Sequence, residues 1–337
     1  VVAEARPEWT VEKYKPGSIK IGRSSRGIVI RGVNPKGLDL VVMQRVGSPT
    51  QVELVRAFQK NGVAVVVDVD DALHAIPRDN GSWVYWNKTQ THHWSHLDEA
   101  CKKADLVTVT TDALAQRYGK HGRVEKLVNG LPDAAFASGS PDTGPEDERA
   151  VIVGWSGVQA SHAGDLSAVG DSLQRVLSED PDVFVKIVGH HEWAAEALGI
   201  PQDRLLPESG PVPLQEYHEA LQGTDVAMVP LVDNHFNKAK SALKALEYRA
   251  VGALVVASPT PANRELSKTS GLRMASDPRE WYLNLKAQVD VTRTLREARN
   301  DYRTELINQV RPLAISARAE EWANAWERAV NRRRNLS

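Results

Sequence analysis

The stretch over 236–252 sets Lys240, Lys244 and Glu247 at four- and three-residue spacing. On a helix that spacing puts the three along one side, with Leu243, Leu246 and Ala250 on another. Read as a helix over 240–251 stopped by Gly252, the segment has its free backbone amides near Ser241. Unpaired N–H groups and the helix dipole favour an anion at such an end, phosphate above all. Lys240 and Lys244 add point charges suited to a diphosphate. Glu247, further in, can accept two hydrogen bonds from ribose hydroxyls. The chemistry this suits is the holding of a nucleoside diphosphate. The same spacing equally suits an amphipathic surface helix with Lys244 and Glu247 as an exposed ion pair.

Residues of this kind need a scaffold, and the chain supplies a repeated one. In the first half, runs rich in β-branched residues over 27–33, 38–46, 63–67, 106–110 and 124–128 read as strands. Helical patterns over 52–60, 93–104 and 113–118 separate them, the first ended by Gly62. The run over 63–67 is wholly apolar, as expected of a strand buried on both faces of a parallel sheet. Ser, Gly, Pro, Asp and Glu dominate 138–148 without apolar periodicity, which marks a linker. The pattern then restarts, with strands over 151–154, 183–188, 226–230 and 254–257 and helices over 164–177, 214–221 and 240–251. The spacing thus predicts an α/β protein with two doubly wound parallel sheets and a cleft between their strand C-terminal ends. The boundaries expected are 1–137, a linker at 138–149, 150–311, and a helix within 312–337 packing back through Trp322 and Trp326, one turn apart.

The 236–252 segment resembles the donor-binding signature of retaining GT-B glycosyltransferases, especially the broad family 4 group. Ile152 to Gly157, with His162 and Asp165, is similar to the opening of that group's C-terminal domain. Lys186 to Gly189 is similar to its second strand and turn, and Ala104 to Thr111 with Asn129 and Gly130 to the close of its N-terminal domain. Val67 to Asp71 resembles an acidic motif found in a subset that includes enzymes of tailed phages. The resemblance implies a GT-B fold, with Glu247 on the donor ribose and the amides of Ser241, Ala242, Leu243 and Lys244 on the diphosphate. Gly157, His162, Gly189, Asn237 and Lys240 complete the implied donor side. Two departures stand out. Ala239 occupies the place of a second glutamate, and Gln159, Ser161 and His162 replace the usual Arg/Lys pair of the first loop, a loss for which Lys240 and Lys244 would compensate.

Asp68, Asp70 and Asp71 end a buried strand, where functional side chains gather in this architecture. Asp68 and Asp70 also spell DxD, a metal-holding motif of a different glycosyltransferase fold. Because helix end and lysines replace the metal in two-Rossmann enzymes, the three are read as acceptor-side residues, with capping of the next element as the other role for Asp71. No metal is expected. His92, His93 and His96 lack the neighbouring ligands a zinc site needs, and read as ordinary histidines. Trp83 and Trp86, with Tyr85 and Trp94, either stack on sugar rings or form a packed cap over the sheet. His162 either donates to a phosphate or sugar hydroxyl or fixes its own loop. Asp70, Asp71 and His162 are the catalytic candidates, and no side-chain nucleophile is identifiable.

Composition bounds the remaining classes. The 337 residues are 42% hydrophobic and 25% charged, enough for two domains with unstapled cores. Cys101, the single cysteine, excludes an intrachain disulfide and a cysteine zinc cage. No run is long and apolar enough to span a bilayer and no signal segment leads the chain, so a cytoplasmic protein is expected, in the host cytoplasm if phage-encoded. Val1 stands first in place of Met, so a short leading piece is expected before it. Sequons at Asn80 and Asn87 then read as coincidence. A net charge of −1 argues against a globally basic nucleic-acid binder, and Arg332 to Arg334 read as a solvated helix end. The expected activity is transfer of a hexose from a nucleotide-diphosphate sugar, a UDP-sugar by analogy, with retention and no required cofactor. The acceptor candidates are a phage virion protein, modified DNA or a glycan. The competing readings are an epimerase of the same architecture and a catalytically silent nucleotide-sugar-binding module.

Overall fold

The computed structural model describes the chain except residues 1–5, 16, 26, 88–91, 137–148, 163, 208–209, 211, 214–215, 296–297 and 337. The expected linker at 138–148 lies outside the described residues. Strands β1 (Lys20–Ser24) and β2 (Gly27–Arg31) pair antiparallel. The 27–33 run is therefore a strand, but one leaf of a hairpin and not a member of a parallel sheet.

The first parallel sheet has the order β3-β4-β5-β6, from β3 (Leu40–Gln44), β4 (Ala64–Val69), β5 (Leu106–Val109) and β6 (Val124–Lys126). Between β3 and β4 runs helix α1 (Pro49–Lys60). Ser48 caps it by accepting from the Gln51 amide, Pro49 fits the first turn, and Val52, Leu54, Val55 and Phe58 are buried. Helices α2 (Trp83–Asn87) and α3 (His93–Lys103) precede β5, and α4 (Asp112–Tyr118) follows it. Every residue of β4 is buried, as its unbroken apolar run requires.

The second sheet has the order β11-β10-β9-β7-β8 and is parallel throughout. Its strands are β7 (Val151–Gly157), β8 (Val183–Gly189), β9 (Val226–Val229), β10 (Leu254–Ala257) and β11 (Arg273–Met274). The helices around it are α5 (Gln159–His162), α6 (Ser172–Glu179), α7 (His191–Leu198), α8 (Tyr217–Leu221), α9 (His235–Lys238), α10 (Leu243–Ala250), α11 (Pro261–Ser270), α12 (Pro278–Thr294) and α13 (Arg299–Val310). From β7 the chain winds to β8 on one side and returns to β9 on the other, so the strand order reverses at the C-terminal ends of β7 and β9. That reversal opens the crevice where ligands bind in doubly wound sheets.

Two helices differ from the periodicity reading. The stretch over 164–177 divides into a 3-10 turn, Asp165–Val169, and α6, because Gly170 at φ 58 breaks the helix. The helix expected over 240–251 starts only at Leu243, as α10, after the separate short helix α9, which leaves Lys240 and Ser241 ahead of the helix they were expected to open. Helix α14 (Ile315–Arg334) closes the chain and crosses back to the first sheet. Its Trp322 and Trp326 pack on Ala64, Val66, Leu106 and Leu127, as the buried-stripe reading expects. Arg333 reaches the buried Asp105 carboxylate at 2.5 Å and Arg334 meets Asp39 at 2.9 Å. The basic run is thus partly a clamp on the first sheet and not merely a solvated end, because α14 terminates over carboxylates. Among the described residues no helix is long and apolar enough to cross a membrane.

The two sheet units meet through specific bonds. The Thr111 hydroxyl donates to the Ala239 carbonyl at 2.9 Å, and Gly81 N–H donates to the Ala160 carbonyl at 2.8 Å. Thr111 also caps α4 by accepting from the Leu114 amide. Thr111→Ala is expected to cost about 1–2 kcal/mol in denaturant melts through the lost cap. Thr111→Ser should retain most of the stability; equal losses in both variants would assign the effect to the methyl group.

Candidate functional site

Residues 230–242, leaving β9 at the strand reversal, are fixed by a buried carboxylate. Asp165 Oδ1 accepts from Asn237 Nδ2 at 2.8 Å and from the Val232 amide at 3.2 Å, while Oδ2 meets His162 Nδ1 at 2.9 Å. Burial alone would push this carboxyl up, but the His162 bond and the Lys240 charge outweigh it and hold it below its ordinary range. His162 moves the other way: burial lowers its imidazole against the pull of Asp165, so the neutral ring dominates near neutrality. His162 and Asn237 thus converge on Asp165. The loop-fixing role weighed for His162 is realised through Nδ1.

Gly157 and Gly189 are register partners at the ends of β7 and β8. A Cβ on Gly189, at φ 121, would sit 2.1 Å from the Gly157 carbonyl oxygen, and one on Gly157 would press into Trp155 and His162. Close backbone approach and a positive φ demand the glycine at 189, and crowding by the Trp155 and His162 side chains favours the one at 157.

Helix α10 lies across the end of β7. Lys244 Nζ donates to the Ser156 carbonyl at 2.5 Å, and Glu247 Oε2 accepts from the Tyr217 hydroxyl at 3.2 Å, which itself lies 2.9 Å from Ser156 Oγ. Both side chains are half-buried, and no direct ion pair joins them among the described residues. The exposed-pair reading is therefore overturned: the helix is turned inward, with Ala245, Leu246, Tyr248 and Ala250 in the core beneath. Burial lowers the Lys244 ammonium to about 8 despite the nearby Glu247 charge, and burial raises Glu247 despite Lys244 and Tyr217. Ser241 Oγ accepts from Asn129 Nδ2 at 3.0 Å, tying the segment to the first unit. Ala242 is the N-cap residue and Leu243 opens the helix. Lys240, ahead of it, lies over the Phe236 ring at 5.1 Å. The arrangement offers the amides of a first helical turn, two ammonium groups and an inward carboxylate at the crevice.

From the first unit, Asp71 comes close enough to Lys240 to feel its charge. Its carboxyl is raised by burial and by Asp70, and it makes no hydrogen bond among the described residues. The capping role considered for it is absent, since the following turn is capped from Ala72 without a side chain. Asp70 is half-exposed, 3.8 Å from Arg45. Asp68 is not at the crevice surface: Gln44 and Thr108 occupy both its oxygens at 2.7 and 2.5 Å inside the sheet, so it is a poor ligand for acceptor or metal. Trp86 is buried in the first core and Trp83 packs beside it with Arg78 over its ring, which favours the packed cap over a sugar platform. His92 stacks on Trp94, and among the described residues no group of histidine, cysteine or carboxylate ligands is placed to hold a metal. Spacing had no means of finding Tyr217 or Asn129 as members of the site, because each joins it through hydrogen bonds to residues distant in sequence.

No family model and no curated protein matches the chain at the level of sequence. Solved structures do match in fold. TarM superposes with a TM-score of 0.60 at 12% identity, over 85% of this chain and 54% of TarM, so the chain spans about half of TarM's length. A UDP-forming α,α-trehalose-phosphate synthase from Burkholderia xenovorans gives 0.59 at 14% identity over 88% of this chain and 74% of the synthase. HepE from Anabaena, in complex with UDP, gives 0.57 at 14% identity over 87% and 79%. With its two parallel sheets and the crevice between them, the chain has the GT-B fold of two Rossmann-like α/β units.

Proposed function

We propose that this protein is a glycosyltransferase that takes a hexose from a UDP-sugar. The observation that carries the reading is the inward-turned Lys244–Glu247 pair of α10, set beside Lys240 at the strand reversal. A half-buried ammonium and a half-buried carboxylate that share no direct ion pair carry a desolvation cost that a ligand engaging both would offset. A nucleoside diphosphate uses both: Glu247 receives the ribose hydroxyls, while Lys240, Lys244 and the amides from Ser241 to Lys244, leading into and opening α10, receive the phosphates. UDP in HepE and the UDP-forming chemistry of the synthase support the choice of base.

In this reading the sugar leaves with retention. The bond from its anomeric carbon to the diphosphate oxygen breaks, the acceptor oxygen bonds to the same face, and its proton passes to the departing diphosphate. Charge grows on the diphosphate during this step, so donors fixed there lower the barrier by preorganised electrostatics. The lysines supply the positive charge a metal would otherwise bring. Residues 1–137 form the acceptor-side domain with Asp70 and Asp71 at its face, 150–311 the donor domain, and the helix within 312–337 the strap between them. A virion protein, modified DNA or a glycan, met in the cytoplasm, is the acceptor class the family resemblance favours, and near-neutral net charge places DNA last.

A thermal-shift series with UDP, GDP, ADP, CDP and TDP, each with and without magnesium, tests the proposal. A ligand at 100 times its Kd should add about 2.7 kcal/mol of stability. The expected result is a shift with UDP that does not need magnesium. No shift with any nucleotide overturns the reading, and binding without turnover in the presence of donor and acceptors would make the protein a silent module.

A further inference from the structure

A cavity of about 630 Å³ opens between the two units, a short distance along the chain from the donor cradle. The first unit contributes Ala72, His74 and Arg117 to its wall, and the second contributes His235, Lys238 and Ala239. Ala72 follows Asp71 and Ala239 precedes Lys240, so the cavity adjoins the two charged residues that face each other across the crevice. Its volume lies in the range of small-molecule sites.

The wall chemistry is one-sided. Four of the lining side chains are cations or imidazoles, and none is a carboxylate. Arg117 and Lys238 have acidic partners, Asp98 at 2.5 Å and Asp233 at 2.6 Å, but neither carboxylate reaches the lining. Arg117 spends one terminal nitrogen on Asp98, and its buried Nε has no partner among the described residues. His74 Nδ1 is likewise buried and unpartnered, as is the hydroxyl of Tyr118, whose ring meets the His74 ring edge-on at 6.4 Å. These three atoms have no accessible surface, so they lie behind the wall, and the groups that meet the cavity are the remaining polar atoms of Arg117, Lys238, His74 and His235. Alanine, proline and leucine carbons supply the rest of the wall.

We propose that this cavity binds an anionic group, phosphate or carboxylate, carried by the sugar-accepting molecule, an assignment that rests on the transfer reading for the role of its ligand. Arg117 and Lys238 supply the charge-assisted bonds, His74 and His235 supply bonds through their rings, and the apolar wall takes the ring or chain that bears the anion. Because residues of both units line the cavity, an acceptor seated there holds the two units together over the donor.

Calorimetric titration with glucose 6-phosphate, glucuronate and glucose, each with and without saturating UDP, provides the test. At least one charged sugar should bind ten or more times tighter than glucose, and the better of the two identifies the anion. His235 and Lys238 are exposed on a one-turn helix, so Lys238→Glu combined with His235→Glu should leave the melting temperature unchanged. That variant should erase the advantage of the charged sugar and change UDP affinity less than twofold. Glucose binding as well as the charged sugars, or an advantage untouched by the double variant, overturns the assignment. Binding of a charged sugar that depends on Lys238, in a protein indifferent to UDP, would sink the transfer reading and leave the anion site standing.

Discussion

Glu247→Ala is expected to weaken UDP binding by about 1.5–3 kcal/mol, roughly 10- to 150-fold, through loss of charged hydrogen bonds to the ribose. The fold should tolerate the change. The Tyr217 hydroxyl that donates to Glu247 also lies 2.9 Å from Ser156 Oγ, so truncation does not strand it. Removing a carboxyl that burial pushes up relieves desolvation as well. Glu247→Gln keeps an acceptor of the same shape and should fall between wild type and alanine. The discriminating comparison is between UDP and uracil in calorimetry: ribose recognition predicts a loss for UDP and none for the free base. An alanine variant that melts normally and binds UDP with wild-type affinity would end the ribose assignment.

The two-sheet plan was legible because its strands are short, β-branched and wholly apolar, as in 63–67, where all of β4 proved buried. The hairpin was misjudged for a reason of period: 27–33 has the same residue types as a parallel strand, and only its partner over 20–24 makes it antiparallel. Helix boundaries were weakest where one residue decides. Gly170 splits a pattern that is otherwise continuous, and the break before Leu243 has no proline or glycine to announce it.

The candidate site was legible in part, for the same physical reason. Lys244 and Glu247 share one short helix, so spacing alone put them together. Direction was not readable, because an amphipathic pattern gives two faces and only packing selects the buried one. Asp68 shows the converse. Its place in an acidic motif pointed to the crevice, yet strand alternation turns it into the sheet toward Gln44 and Thr108, while Asp71, beyond the strand, stays free. The cavity at His74, Arg117 and Lys238 was invisible to spacing, since its wall joins two units more than 100 residues apart.

Lys244→Met should make the empty protein more stable and the donor site worse. Burial lowers the ammonium to about 8 from an ordinary 10.5, so at pH 7 the charged side chain opposes folding. That interval corresponds to about 3 kcal/mol. Glu247 loses a neighbouring positive charge in the variant and rises further, and the Ser156 carbonyl loses the Lys244 bond, which together trim the net gain to about 1–2 kcal/mol. Below pH 8 lysine is protonated whether the chain is folded or not, and the penalty is fully present. Between pH 8 and 10.5 the unfolded chain keeps a proton the folded one has shed, so wild-type stability rises with pH and the advantage of methionine disappears. Melting temperatures at pH 7 and pH 10 should show a gain in the first and none in the second. UDP affinity should fall in the variant by about 2–3 kcal/mol, roughly 30- to 150-fold, while uridine affinity stays near wild type. In the wild type, UDP affinity should hold steady up to about pH 8 and decline above it, as the free protein surrenders the proton that binding needs. A variant less stable at pH 7, or one that loses UDP and uridine equally, would show that Lys244 serves the fold and not the diphosphate.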